Sequence, residues 1–330
     1  MAEILEMTNR GLFCPAGDFY IDPWRSVDRA VVTHAHSDHA RPGMRNYLCS
    51  AEGETVLRLR VGAKSAIQAL EYGEVVEMNG VKLSLHPAGH ILGSSQVRVE
   101  LNGEVIVVSG DYKTEADSTC TPFEPVKCHT FITESTFGLP IYTWAKEGAV
   151  FSQVNDWWRN NQAEGFASVL YGYSLGKSQR ALAGLDPGIG PIFEHETLRP
   201  YTNAYRSAGI QLPKTKTIGR AKEDFDWATA MILAPPGSMT SAWRAHIGPM
   251  RTAFMSGWMA VRKGSRGRGG QFGFVVSDHV DWPSLMSAIA ATEAERVLVT
   301  HGFSKTVVRY LRETGLEAYE LGSEWTGEQE

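Results

Sequence analysis

Apolar residues in the first 140 positions come in short runs separated by turn signals: Phe19-Tyr20-Ile21, Ala30-Val31-Val32, Val97-Arg98-Val99-Glu100-Leu101, Val105-Ile106-Val107-Val108 and Thr130-Phe131-Ile132. Runs this short and this rich in β-branched residues predict strands. Val81-Lys82-Leu83-Ser84-Leu85 alternates apolar with polar, the period of a strand with one wet face. Asn102-Gly103 between two runs is a hairpin signal, because both residues tolerate positive φ. One helix is expected in this stretch, over residues 56–70.

The pattern changes after residue 140. Helical spacing predicts helices over residues 150–161 and 177–184, with strand-like runs Ser168-Val169-Leu170-Tyr171, Ala230-Met231-Ile232-Leu233 and Thr252-Ala253-Phe254-Met255 between and after them. Strand alternating with helix predicts a small parallel α/β unit. A basic glycine-rich loop follows at residues 262–270, then strands over 272–276 and 296–300 flanking a helix over 282–293. The chain reads as a sheet domain (1–140), interrupted by an inserted cap (141–268) and completed by residues 269–330.

Composition narrows the class. Hydrophobic content of 43% and charged content of 21% suit a globular protein. No apolar stretch approaches the roughly 18 residues of a membrane span. The opening Met1-Ala2-Glu3-Ile4-Leu5-Glu6 lacks a basic-then-apolar leader, and the four cysteines form no C-x-x-C pair, so a cytoplasmic protein with reduced thiols is expected. The net charge of −5 argues against a general nucleic-acid binder. Its distribution argues the other way, with 14 Lys+Arg against 6 Asp+Glu between residues 170 and 270 and 18 against 31 elsewhere. A basic segment on an acidic body favours a phosphate-backbone substrate.

The chemistry is concentrated in Thr33-His34-Ala35-His36-Ser37-Asp38-His39-Ala40, directly after an apolar run. Burying a polar side chain without a partner costs roughly 2–7 kcal/mol, so packing is a poor reason for three imidazoles and a carboxylate in six positions. In a loop after a strand, His34 and His36 can converge on one metal while Asp38 and His39 turn toward a second. His90 follows the run ending at Leu85, Asp111 follows Val107-Val108-Ser109-Gly110, and His301 follows Val297-Leu298-Val299-Thr300. Asp111 sits where a bridging ligand could reach two metals. Five imidazoles and two carboxylates make zinc the default pair of divalent ions and admit manganese.

This order of H-x-H-x-D-H, Gly-His, Gly-Asp and Thr-His-Gly resembles the metallo-β-lactamase superfamily, over the whole chain. The resemblance implies an α/β fold, an αββα sandwich in which His34, His36 and His90 hold one metal, Asp38, His39 and His301 hold the other, and Asp111 bridges. Asp22 matches the early aspartate that orients such ligands from behind. Thr133-Glu134-Ser135-Thr136-Phe137-Gly138, Ser277-Asp278-His279-Val280-Asp281-Trp282 and the inserted α/β unit resemble the β-CASP branch, whose members cut nucleic acids. That implies an α/β β-CASP cap. It also implies that Asp38 and Asp111 serve the metal chemistry, that His279 contacts the scissile phosphate and protonates the leaving oxygen, and that Glu134 holds its tautomer.

Tyr173-Ser174-Leu175-Gly176-Lys177-Ser178-Gln179 misses the P-loop spacing by one residue. A helix start with a lysine still makes a single-phosphate pocket. The string is similar to one in DNA cross-link repair exonucleases, where the cap grips a terminal phosphate. Ser174, Gly176 and Lys177, with Ser135 and Thr136, are the candidates, and Arg262, Lys263, Arg266 and Arg268 could clamp the backbone near the cut. The segments at 11–24 and 40–43 resemble bacterial DNA-ligase-associated exonucleases, encoded beside an ATP-dependent ligase and a helicase. The expectation is a dinuclear-metal DNA exonuclease in repair, working from a 5′ end on single-stranded DNA or a free end, with a ligase and helicase as pathway partners and no membrane. His301, often apolar in the cross-link repair enzymes, keeps an RNA-processing nuclease of the same fold as the alternative. A thioester or lactam hydrolase and a metal-free scaffold are the remaining rivals.

Overall fold

The computed structural model describes residues 4–222, 224–261 and 272–322. Arg262, Lys263, Arg266 and Arg268 lie outside the described residues. Two compact units emerge: one takes the described residues up to Thr143 and from His279 onward, the other runs from Trp144 to Asp278.

The first unit opens with β1 (Glu6–Thr8), β2 (Gly11–Cys14), β3 (Phe19–Ile21), β4 (Arg29–Val31), β5 (Asn46–Ser50), α1 (Glu54–Val61) and β6 (Ile67–Leu70). These strands form one sheet in sequential order, antiparallel from β1 to β3 and parallel from β3 to β6. The helix expected over 56–70 is therefore only its first half. Gly62 breaks it at φ 112°, and Ile67–Leu70 leaves to pair with β5, Tyr47 opposite Ile67. An edge strand competes successfully with helical spacing because a partner strand satisfies its backbone.

A meander follows, β7 (Val75–Met78), β8 (Val81–Pro87), β9 (Ser95–Leu101) and β10 (Glu104–Val108), and then β11 (Thr130–Glu134). The Asn102-Gly103 turn has positive φ at both residues, 53° and 86°, as the hairpin signal requires.

The second unit contains α2 (Glu147–Ala163), β12 (Ala167–Tyr171), α3 (Lys177–Gly184), β13 (Ile192–Glu194), α4 (Arg199–Ser207), β14 (Thr215–Thr217), β15 (Met231–Ala234), α5 (Ser241–Ile247), β16 (Met250–Met255) and β17 (Gly273–Phe274). Every strand pairing in its sheet is parallel, in the order β14-β13-β15-β12-β16-β17. Parallel strands need both faces covered, and both are: Trp158, Val154 and Leu182 pack on one side, Trp227, Phe193 and Ile247 on the other.

The chain then returns to the first unit as α6 (Trp282–Ala291), β18 (Arg296–Thr300), α7 (Ser304–Glu313) and β19 (Glu317–Glu320). The second sheet of this unit runs β19-β18-β11-β10-β9-β8-β7. Its inner face shares one core with the first sheet, where Leu12, Phe19, Ile21 and Val31 meet Leu83, Leu85, Val97 and Val99. Its outer face buries Phe131, Val297 and Val299 under Leu285 and Ile289 of α6 and Val307 and Leu311 of α7.

The topology also places the loops. β10, β11 and β18 are mutually parallel, and β8 runs the same way because two antiparallel steps separate it from β10. The carboxyl ends of these four strands therefore share one edge, and β3 and β4 are likewise parallel to each other. Strand carboxyl ends are where α/β sheets present ligand-binding loops.

Candidate metal centre

Each chemistry-bearing segment leaves one of those ends: Asp22 after β3, the 34–39 string after β4, His90 after β8, Asp111 after β10, Glu134 at the end of β11 and His301 after β18. Close approach needs small residues around the site, Gly110 and Gly302 among them. Gly110 has φ 58°, and a Cβ there would lie 2.7 Å from the Thr33 side chain, so glycine lets the Asp111 loop close on the 34–39 loop. Gly302 has φ 54°, and its Cβ would fall 2.3 Å from the Ser135 carbonyl oxygen. His301 itself has φ 58°. Ser135 Oγ is directed at the Thr300 and His301 carbonyl oxygens. Its hydroxyl thus holds the His301 loop.

Asp111 Oδ2 is the common point of the cluster. It lies 3.6 Å from His34 Nε2, 4.0 Å from His90 Nε2 and 3.5 Å from His39 Nε2. His36 Nδ1 is 3.1 Å from His90 Nε2, and Asp38 Oδ2 is 3.7 Å from His39 Nε2. His301 stacks on His39 with ring centres 5.5 Å apart. Among the described residues three overlapping sets of donors result, His34, His36, His90 and Asp111 in one, His39, Asp111 and His301 in the second, and Asp111, Glu134 and His279 in the third, each within 4.8 Å. Asp38 stands beside the second set, with 20% of its side chain exposed.

These spacings fit a cation. Donors about 2.0–2.2 Å from one tetrahedral zinc lie about 3.3–3.6 Å from each other. His34 Nε2 and Asp111 Oδ1 are buried and have no hydrogen-bond partner among the described residues. A lone pair on that nitrogen facing the carboxylate at 3.6 Å is an arrangement that a cation between them would stabilise.

Electrostatics point the same way. Burial drives His34 well below its ordinary pKa, with the charge on His39 adding to the effect. Burial alone would lower His39 too, but Asp111, Asp38 and Asp22 hold it well above the usual value. Burial would raise Asp111, yet His39, His279 and His34 hold it well below the carboxylate range. His301 is lowered by burial. The arrangement sets the Asp111 carboxylate, held toward its ionised form, beside imidazoles of opposite tendency, His34 and His301 pushed toward the neutral form and His39 held toward the protonated one; nitrogen and oxygen donors of this kind suit a borderline cation.

Behind the donors, Asp22 Oδ2 lies 2.7 Å from His39 Nδ1, and Asp22 Oδ1 accepts from the Thr33 N–H at 2.8 Å. Ser94 Oγ accepts from the His90 and Ile91 N–H groups at 3.0 and 3.2 Å and so shapes the His90 loop. Beside the cluster, His279 Nδ1 lies 3.0 and 2.8 Å from the two Glu134 oxygens, and Glu134 Oε1 also accepts from Tyr112 N–H at 2.8 Å. The His279 ring centre is 4.9 Å from that of His90. Thr33, Ser94 and Tyr112 escape the sequence reading. Only Thr33 has a local signal, a polar residue closing an apolar run beside a candidate ligand.

The candidate phosphate residues behave differently. Thr136 Oγ1 is buried with no hydrogen-bond partner among the described residues. In the second unit, Ser174 and Gly176 lie on the loop before α3 and Lys177 opens that helix, but the Gly176 N–H donates to Gln179 Oε1 at 2.9 Å instead of pointing outward. The cradle of amides expected there is thus partly closed by its own helix. Lys177 is buried, its Nζ 4.7 Å from the Tyr173 ring centre. All four cysteines are buried, and no helix of the described residues is long and apolar enough to cross a membrane.

No protein-family model matches the chain. A protein of Opitutus terrae named "Probable DNA ligase" is 33% identical over 323 residues, 96% of this chain and 31% of that one. The endoribonuclease YSH1 of Saccharomyces cerevisiae is 23% identical over 215 residues, 53% of this chain and 26% of its own length. Cleavage and polyadenylation specificity factor subunit 3 of Dictyostelium discoideum is 30% identical over 124 residues, 36% of this chain and 16% of its own. The chain spans less than a third of the length of these relatives. A crystal structure of a protein of unknown function from Enterococcus faecalis V583 shares the fold, with a TM-score of 0.59, 10% identity, and coverage of 90% of this chain and 80% of that one.

Proposed function

The chain belongs to the β-CASP branch of the metallo-β-lactamase superfamily, and from that premise we propose that it is a dinuclear-metal phosphodiesterase that trims DNA from a 5′ end in repair. On this reading the paired sheets with α1, α6 and α7 form the αββα sandwich, and residues 144–278 form the cap. Two divalent cations, zinc or manganese, held by His34, His36, His90 and by Asp38, His39, His301 with Asp111 between, would supply a nucleophile and stabilise charge on the attacked phosphate. The residues do the rest. Asp22 holds His39 in place. Glu134, fixed by the Tyr112 N–H, holds the His279 ring so that a proton can pass from it to the leaving oxygen.

The single observation that carries this reading is Asp111 Oδ2 facing His34 and His90 on one side and His39 on the other. The Opitutus terrae relative's ligase name supports DNA and a ligase partner. The relatives named endoribonuclease support a second reading, RNA cleavage by the same centre. Digestion of matched 5′-phosphorylated DNA and RNA strands after cation depletion and repletion decides between them. The proposal expects cation-dependent loss of 5′ nucleotides, faster on DNA. Faster RNA cutting moves the chain to the second reading, and thioester turnover without strand cleavage removes both.

A further inference from the structure

Thr33 lies two residues beyond β4, is 1% exposed, and offers one hydroxyl proton to two neighbours. Its Oγ1 lies 2.5 Å from Asp22 Oδ2 and 3.1 Å from His34 Nδ1. An ionised carboxylate can only accept, so the Thr33 proton goes to Asp22. Thr33 Oγ1 is then left as the acceptor toward His34, which places the ring proton on His34 Nδ1. The lone pair falls on His34 Nε2, the buried atom aimed at Asp111. Asp22 Oδ2 meets His39 Nδ1 as well, so a proton there leaves His39 Nε2 to turn its lone pair toward Asp111 when a cation binds. Asp22 holds a left-handed backbone, φ 43°, to bring both oxygens into place.

We propose that Thr33 is a positioning residue for cation binding: through its hydroxyl, the single carboxylate of Asp22 sets the tautomer of one ligand in each of the two cation positions. The two branches differ. Asp22 Oδ2 contacts His39 Nδ1 directly and meets His34 by way of the Thr33 hydroxyl, so deleting the hydroxyl breaks the link to His34 and leaves the Asp22–His39 contact itself in place. The inference rests on the cation centre proposed above.

Thr33→Val keeps size and branching but deletes the hydroxyl. Manganese or zinc titration of the cation-free full chain by calorimetry, with ¹⁵N NMR of the histidine rings, reads the result. Wild type should take two equivalents. Thr33→Val should keep one near its original affinity and weaken the other by about 10–100-fold, the usual effect of losing such a partner. Its His34 ring should change from one tautomer to a mixture, and Thr33→Ser should restore both signals. Asp22→Asn, which strikes both branches, should weaken both equivalents, and this test stands even if the valine variant fails to fold. Unchanged affinities in Thr33→Val, equal weakening of both equivalents, or failure of serine to rescue would overturn the proposal. A wild-type chain with no affinity for divalent cations would instead end the cation reading itself, and the ring-nitrogen signals would still decide where the His34 proton sits.

Discussion

Removing the imidazole of His279 gives the sharpest test of how the proton moves. Both Glu134 oxygens contact its Nδ1 at 2.8–3.0 Å, and the Val280 N–H donates to the Tyr112 carbonyl oxygen at 2.8 Å, so the ring is fixed from its side chain and from the backbone beyond it. A positioned general acid contributes about 10²–10⁴-fold. At 1.36 kcal/mol per decade this is about 2.7–5.4 kcal/mol of barrier. The contribution exists only when the leaving oxygen needs a proton. His279→Ala should therefore slow cleavage of a DNA strand by about 10²–10⁴-fold, while a p-nitrophenyl phosphodiester of thymidine, whose leaving group departs unprotonated, should be hydrolysed within a few-fold of the wild-type rate. Glu134→Gln should fall on the same side. Its amide oxygen can still accept from Tyr112 N–H, which turns the amide N–H₂ toward His279 Nδ1 and favours the wrong tautomer. Kinetics on both substrates, with bound cation measured for each variant, make the assay. An equal loss on strand and activated ester at unchanged cation content would refute the reasoning, because the ring would then be serving the cations or the fold.

Further outcomes follow from geometry. Gly302→Ala forces a left-handed alanine, costing about 1–2 kcal/mol from backbone strain alone, and sets its Cβ against the Ser135 carbonyl. The variant should melt earlier and hold one cation fewer, and wild-type loading would show that His301 is not a ligand. Arg180→Met removes a buried guanidinium that donates to the Ser277 carbonyl oxygen at 3.0 Å and faces Asp278 at 3.8 Å. Breaking such a pair costs about 3–5 kcal/mol, to be read as a lower denaturant midpoint, with under 1 kcal/mol marking the pair as dispensable. Cation binding should release protons. Burial pulls His39 down, but Asp111, Asp38 and Asp22 outweigh it, so the ring keeps its proton above the ordinary imidazole range until a cation displaces it. Affinity should rise with pH through neutrality, with proton release measured by calorimetry in buffers of different ionisation enthalpy. A pH-independent affinity would contradict this.

Local signals carry much of this molecule. The period-2 run at 81–85, the Asn102-Gly103 turn and the strand–helix alternation after residue 140 all become the elements they predict, because neighbouring residues alone decide them. The stretch at 56–70 does not, since its second half is decided by β5, a partner that spacing within the stretch cannot reveal. The site divides the same way. His34, His36, Asp38 and His39 are legible as one string. The Thr33 hydroxyl, the Ser94 brace and the Tyr112 amide on Glu134 depend on which loops leave the same sheet edge, information spread over more than 20 residues in the Glu134 case. Gln179 shows the reverse error. Gly176 and Lys177 suggest outward-facing amides until the side chain three residues on folds back to take one.

The central claim is that two cations share Asp111. A crystal structure of the chain grown with manganese, with anomalous difference density, measures it directly. Two peaks about 3.5–4 Å apart are expected, one bounded by His34, His36 and His90, the other by Asp38, His39 and His301, with Asp111 between them. A single peak, or peaks away from Asp111 at saturating manganese, would contradict it.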